Sequence, residues 1–271
     1  MGLPTSAVLF ALGAFTLIAQ TVLLREHLVA CNGGELAIGL FFATWFLWIA
    51  AGATLRRWLP VERWDPVRGL LVLVRLYRPA MALQGTALRS LRWLSGVPTS
   101  DVFPVGALAW STLLANAPLG VLTGLAFPAA CALVAGAATS SSPASAVTRS
   151  YVLEAAGAFA GGLIATAMIL GAAAPSTLIA TGMLPLAAGA AALALQRRAK
   201  LLGALAIVEL AVAAAVLATP LGRDLEETAE RVRFARALPD LEYLESLDTP
   251  HRHLSIGRGD GQVVALSDGS L

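Results

Sequence analysis

Polar positions in this chain are gathered into short clusters separated by long apolar runs. That spacing predicts membrane-crossing helices. Residues 3–24 and 36–55 carry no charge, and each run reaches the roughly 20 residues needed to cross about 30 Å of hydrocarbon. Runs of similar length occupy 151–174, 176–195 and 201–219, with only Glu154 and Glu209 charged inside them. The uncharged stretch 104–136 is too long for one crossing, since a helix of that length extends about 50 Å. Asn116, Pro118, Gly120, Gly124 and Pro128 lie inside it. Proline removes a backbone donor and clashes with the preceding turn, so the stretch is read as kinked or broken. A broken helix can frame a pocket, as in transporters; a tilted helix kinked at proline is the plainer form.

Residues 67–94 follow a different pattern. At 100° per residue Arg68, Arg75, Arg78, Arg89 and Arg92 fall on one stripe, and leucines occupy the opposite side. Arginines in mid-bilayer each cost about 2.5–3.5 kcal/mol. The first reading is therefore an amphipathic helix lying in the membrane surface, its stripe facing anionic lipid headgroups. The second is a true span whose arginines face other helices, with Pro79 as a kink.

After residue 219 the pattern changes again. Residues 223–237 predict a surface helix, with Glu227 four residues ahead of Arg231 in the favoured ion-pair order. Pro239 ends it. Residues 241–246, 253–256 and 262–266 predict short strands, the last two joined by the glycine-rich turn 257–261. Asp268-Gly269 signals a further turn with no strand after it. An unpaired sheet edge is expected there, to be completed by another chain or by a longer polypeptide.

Composition agrees with the membrane reading: 57% of the 271 residues are hydrophobic and 13% charged, with a mean hydropathy of +0.74. An ordinary soluble domain has about 25% charged residues. The net charge of +2 hides an uneven split. Thirteen basic and seven acidic residues precede Pro220, whereas six basic and ten acidic follow from it. No compact basic surface argues for nucleic acid. The two cysteines, Cys31 and Cys131, lack metal-ligand spacing, and neither a metal nor a cofactor is expected.

Lys and Arg in short loops orient the chain. Arg56, Arg57, Arg63 and Arg68 follow the second run, and Arg197, Arg198 and Lys200 separate the last two. If 67–94 crosses, seven spans place both clusters and the N-terminus in the cytoplasm and the tail outside. If it does not, one cluster lies on the wrong side. The expected address is a bacterial inner membrane with a periplasmic tail.

Three groups of residues carry candidate chemistry. Glu154, Glu209 and Asn116 form a candidate intramembrane polar set, because an ionisable group within a span is a functional-site hypothesis by default. Glu154 shares a helix face with Gly157 and Gly161, whose spacing favours close helix packing. Placed in the first turn of its run, it also suits the helix dipole. Arg25, Glu26 and Glu35 surround one short loop as a candidate partner contact or a solvated loop. His251 and His253 share a strand face, read as a surface pair and not a metal site. No catalytic arrangement emerges from these spacings.

Arg25-Glu26-x-Leu28-Val29, Gly34-Glu35-Leu36-Ala37-Ile38-Gly39 and Tyr151-Val-Leu-Glu154-Ala-Ala-Gly157-x-x-x-Gly161-Gly162 resemble helices of membrane-fused spermidine synthase-like proteins. The stretch 244–269 resembles the small β-domain that opens a spermidine synthase. The resemblance implies a catalytic Rossmann-like domain holding decarboxylated S-adenosylmethionine. This sequence lacks the glycine-rich strand-to-helix turn of such a domain.

The expectation is an all-α integral membrane bundle of six to seven transmembrane helices over 1–219, with a small α+β tail over 220–271. The expected function is a non-catalytic membrane anchor or assembly subunit whose tail completes a sheet with a protein partner. A small-molecule transporter or channel, or a truncated or split aminopropyltransferase-like enzyme, stands as the alternative.

Overall fold

Proline, glycine and the basic clusters interrupt the apolar runs, and helices end at those points. The computed structural model describes residues 3–56, 58, 65–98, 101–136, 143–249, 252–259 and 261–268. His251 and the basic residues Arg57 and Arg63 lie outside the described residues. The order is α1 (Leu3–Ala30), α2 (Glu35–Leu55), α3 (Pro66–Arg89), α4 (Leu91–Leu94), α5 (Val105–Ala115), α6 (Ala117–Gly136), α7 (Pro143–Leu170), α8 (Pro175–Gln196), α9 (Lys200–Ala218), α10 (Leu221–Ala237), then β1 (Glu242–Asp248), β2 (His253–Gly259) and β3 (Gln262–Ser267). Among the described residues six helices, α1, α2, α6, α7, α8 and α9, are long and apolar enough to cross a membrane. The protein is thus an all-α bundle with a small sheet-bearing tail.

Contacts between glycines and facing backbones fix the helix directions. A Cβ built on Gly157 of α7 would fall onto the carbonyl of Phe10, and one on Gly161 would meet the backbone of Ala14. So α1 and α7 run parallel and nearly touch, as the small-residue spacing predicts. Gly120 faces Trp48 and Gly124 faces Gly52, which makes α2 and α6 parallel. Gly189 faces Val8 and Gly182 faces Phe15, so α8 runs against α1.

The surface reading of 67–94 is corrected. α3 stands among the other helices, with Tyr77 and Gln84 fully buried. Tyr77 meets Phe15 of α1 edge-on at 5.6 Å, and Arg89, farther along α3, meets Glu26, farther along α1. The two helices therefore run side by side in the same direction, whereas a helix lying in the membrane plane would cross α1. The arginines are accommodated because protein carboxylates and carbonyls, not lipid, receive three of them. With α1, α3, α7 and α9 running one way and α2, α6 and α8 the other, Arg56 and the cluster Arg197, Arg198 and Lys200 share one end of the bundle. The tail occupies the opposite end.

The long run 104–136 is broken, not merely kinked. α5 stops at Ala115, Asn116 caps it, and α6 begins with Pro118 in its first turn, where a missing donor is harmless. Gln84 Nε2 donates to Asn116 Oδ1 at 2.9 Å, while Gln84 Oε1 accepts from the Leu119 amide at 3.1 Å. Asn116 Nδ2 donates to Phe41 O and Thr44 Oγ1. Side chains of α2 and α3 fill the break, and Gln84 satisfies the buried Leu119 amide there.

In the tail, β1-β2-β3 form an antiparallel sheet with a register shift in β1 between Tyr243 and Glu245. Phe234 of α10 fills the space above Gly257 and packs edge-on against Tyr243 at 5.5 Å. Any larger residue at 257 would collide with that ring.

Candidate functional site

The carboxylates and guanidiniums at the tail-bearing end of the bundle meet in one cluster. Glu26 lies in the last turns of α1 and Arg89 at the end of α3, because the two helices run in step. Arg89 Nη2 donates to Glu26 Oε1 at 2.7 Å and to Glu226 Oε2 of α10 at 2.6 Å. Glu226 Oε1 in turn accepts from the Ser176 amide at 2.8 Å. This caps the N-terminus of α8 with a carboxylate, where the helix dipole favours negative charge. Arg233, two turns along α10, lies 3.5 Å from Glu26 and 2.6 Å from Glu230.

The sheet enters the cluster through His253. Its Nε2 lies 3.1 Å from Glu230 and its Nδ1 3.0 Å from Asp248. Arg25 of α1 completes the arc by donating to the Thr249 carbonyl at 2.9 Å, with Asp248 3.8 Å away. The surface reading of His253 is thereby corrected, since only 5% of the residue is exposed. Burial alone favours a neutral imidazole, but the hydrogen bonds to Asp248 and Glu230 push its pKa up to about 9. With His253 protonated, Arg25, Arg89, Arg233 and His253 balance Glu26, Glu226, Glu230 and Asp248.

These pairings give the junction a pH dependence. His253 binds its proton more tightly when docked, so its contribution is complete below about pH 6.5 and is lost as pH rises through about 9. Burial raises the Asp248 and Glu230 pKa values, but His253 and the nearby arginines outweigh it and hold both below the ordinary range. Their contribution is present above the ordinary carboxylate values and fades as pH falls through the lowered ones. Glu226 runs the other way, because burial pushes it up more than Arg89 pulls it down. Hydrogen-exchange protection of β2, corrected for intrinsic rates, is expected to fall between about pH 7 and 9.5 in the full chain and to stay flat in His253→Gln. A flat wild-type profile would refute the coupling.

The remaining predicted positions divide clearly. Glu209 of α9 is paired: Arg75 Nη1 donates to its Oε2 at 2.6 Å, both side chains being about nine-tenths buried. Glu154 lies three turns into α7, which starts at Pro143, so the first-turn dipole reading is corrected. It is half-buried, with Tyr77 and Cys131 as electrostatic neighbours. Asn116 serves the α5–α6 break. Arg25 and Glu26 belong to helix α1, not to a loop, and touch the tail, whereas Glu35 is exposed at the start of α2.

The basic stripe is corrected for three of its five members. Arg75 and Arg89 face carboxylates. Arg92 donates to the carbonyls of Ala30, Pro98 and Asp101. Arg68 and Arg78 remain exposed.

Sequence reading missed Glu226, Glu230, Arg233 and the burial of His253. The one available signal was the three-residue spacing of Glu230 and Arg233. Among the described residues no group of three or more His, Cys, Asp or Glu is placed to hold a metal ion. Compared with known proteins, the chain matches no family model, no curated protein and no solved structure.

Proposed function

We propose that the protein is an integral membrane anchor whose rigidly docked sheet receives a β-strand from a protein partner. The observation that carries this reading is the contrast between the two sheet edges. β1 is interrupted by its register shift and bears Glu242, Glu245 and Asp248, two of the devices that keep edges from pairing. β3, Gln-Val-Val-Ala-Leu-Ser, has neither a charge nor a register shift.

The open groups of β3 follow from its ladder. The Asp268 amide donates to the His253 carbonyl, which makes that pair a bonded one. The two-residue alternation then turns Ser255–Leu266 and Gly257–Val264 inward. The amides of Val263 and Ala265 point away from β2. The charge-balanced cluster supports the reading as well, because it presents this edge in a fixed position on the membrane.

The resemblance to membrane-fused spermidine synthase-like proteins supports a bundle that carries a β-element beside another folded unit. The tail lies opposite the basic clusters at Arg56 and Arg197–Lys200. By the positive-inside rule this supports a non-cytoplasmic tail, periplasmic in a bacterial inner membrane.

Proline is tolerated in an edge strand where the amide faces outward. Ala265→Pro should therefore keep the sheet and remove the pairing edge. A photo-crosslinking residue at Val263 in the full chain is expected to capture one polypeptide, and Ala265→Pro to abolish that adduct. Equal capture from Glu245 on β1, or capture indifferent to Ala265→Pro, would overturn the assignment.

A further inference from the structure

Beside the charge-balanced cluster, a cleft of about 500 Å³ opens between α4 and α10. Its lining includes Ser90, Arg92, Trp93, Val97, Arg236 and Leu238. Arg89 and Arg233 also reach it, but their charge is neutralised by Glu26, Glu226 and Glu230. Arg236 is different: among the described residues it forms no ion pair, whereas the charge of Arg92 is partly offset by Asp101.

Arg236 donates to Ser90 Oγ at 3.1 Å and lies over the Trp93 ring at 5.0 Å. Arg92 spends Nε and Nη1 on backbone carbonyls, and its Nη2 is buried without a hydrogen-bond partner, so this side chain braces the wall of the cleft. The cleft thus carries the unpaired Arg236 guanidinium on one side and apolar surface on the other. It sits where α1 and α3 end, beside the exposed side chains of Trp93 and Leu94. Tryptophan favours the membrane–water boundary, and arginine at that level meets lipid phosphates.

We propose that this cleft binds the phosphate of an anionic phospholipid, with Arg236 as its cationic contact and Trp93, Leu94 and Val97 against the glycerol and upper acyl chains. The site differs from a general basic stripe along α3, because most of that stripe is consumed inside the protein. A bidentate guanidinium fork suits a phosphate better than a zwitterionic headgroup, whose own choline charge offsets the attraction.

The test uses the full chain in detergent with phosphatidylglycerol and phosphatidylcholine at equal concentration, read by native mass spectrometry. Phosphatidylglycerol is expected to be retained in preference. Arg236→Gln should weaken that retention about fivefold, the effect of one interfacial cation, and leave phosphatidylcholine unchanged. Arg236 is exposed, so this variant does not threaten the fold. Arg198→Gln, at the opposite end of the bundle, should have no effect.

Equal retention of both lipids would overturn the proposal. So would wild-type retention by Arg236→Gln, or a loss produced by Arg198→Gln instead. Displacement of the lipid by low-millimolar inorganic phosphate would show a site for soluble phosphate and overturn the lipid assignment.

Discussion

Replacing Arg89 with alanine is expected to release the tail from the bundle while leaving the membrane helices folded. Arg89 of α3 bridges α1 and α10 through Glu26 and Glu226, at shorter distances than the direct Arg233–Glu26 contact between those helices. Its side chain is 19% exposed and its partners 8% and 17%. Truncation would leave two carboxylates in a poorly solvated junction, and breaking a buried pair by removing one partner costs about 3–5 kcal/mol. The loss should appear as faster amide exchange throughout α10 and β1–β3, with α1 and α8 slow except near Ser176, whose amide depends on Glu226. Arg89→Met combined with Glu26→Gln and Glu226→Gln removes charge from both sides and should recover part of the protection. That recovery separates uncompensated charge from lost packing. Unchanged exchange in Arg89→Ala would show that the apolar contacts of Phe234 and the sheet hold the tail without the cluster.

The second large effect is expected at Gly157. A methyl group there would occupy the position of the Phe10 carbonyl, and that atom belongs to helical backbone that cannot rotate away. Gly157→Ala must push α7 off α1, the most extensive helix pairing in the bundle. Overpacking of this kind costs about 1–3 kcal/mol, and Gly157→Leu should prevent assembly altogether. Thermal unfolding in detergent measures the first, and the yield of folded protein the second. Gly39 of α2 is the control, since nothing lies within 4 Å of a Cβ built there. Gly39→Ala should be neutral or slightly stabilising, because alanine is the better helix former by up to about 1 kcal/mol. Equal behaviour of the two alanine variants would refute the close α1–α7 approach.

The membrane helices were legible because hydrocarbon imposes a length and a composition that a one-dimensional reading detects. Glu227 and Arg231 were legible as a pair for a similar reason: helical spacing alone brings them to 2.5 Å. Gly157 and Gly161 announced a close approach through their four-residue spacing, although not that Phe10 and Ala14 would receive it. α3 was misread as surface-bound because an arginine stripe has the same period whether it faces phosphate or protein. Only the neighbours of Arg75, Arg89 and Arg92 distinguish the two. Asn116 was noticed as a polar residue inside an apolar run, but Gln84, which fills the break with it, gave no sign in the sequence.

By itself, then, the sequence determined the local periodicities: which segments are long and apolar, where proline and glycine interrupt them, and which stretch is acidic and strand-forming. These depend on backbone geometry and on residues within one or two helical turns. Tertiary structure decided which charges neutralise each other. Glu26 and Arg233 are separated by 207 positions, Arg75 and Glu209 by 134, and no period links residues so far apart. Whether an arginine in this chain meets lipid, water or carboxylate is set by which helices run in the same direction. That direction is fixed by the crossings at Gly157, Gly124 and Gly182, where the absence of a side chain lets two backbones meet.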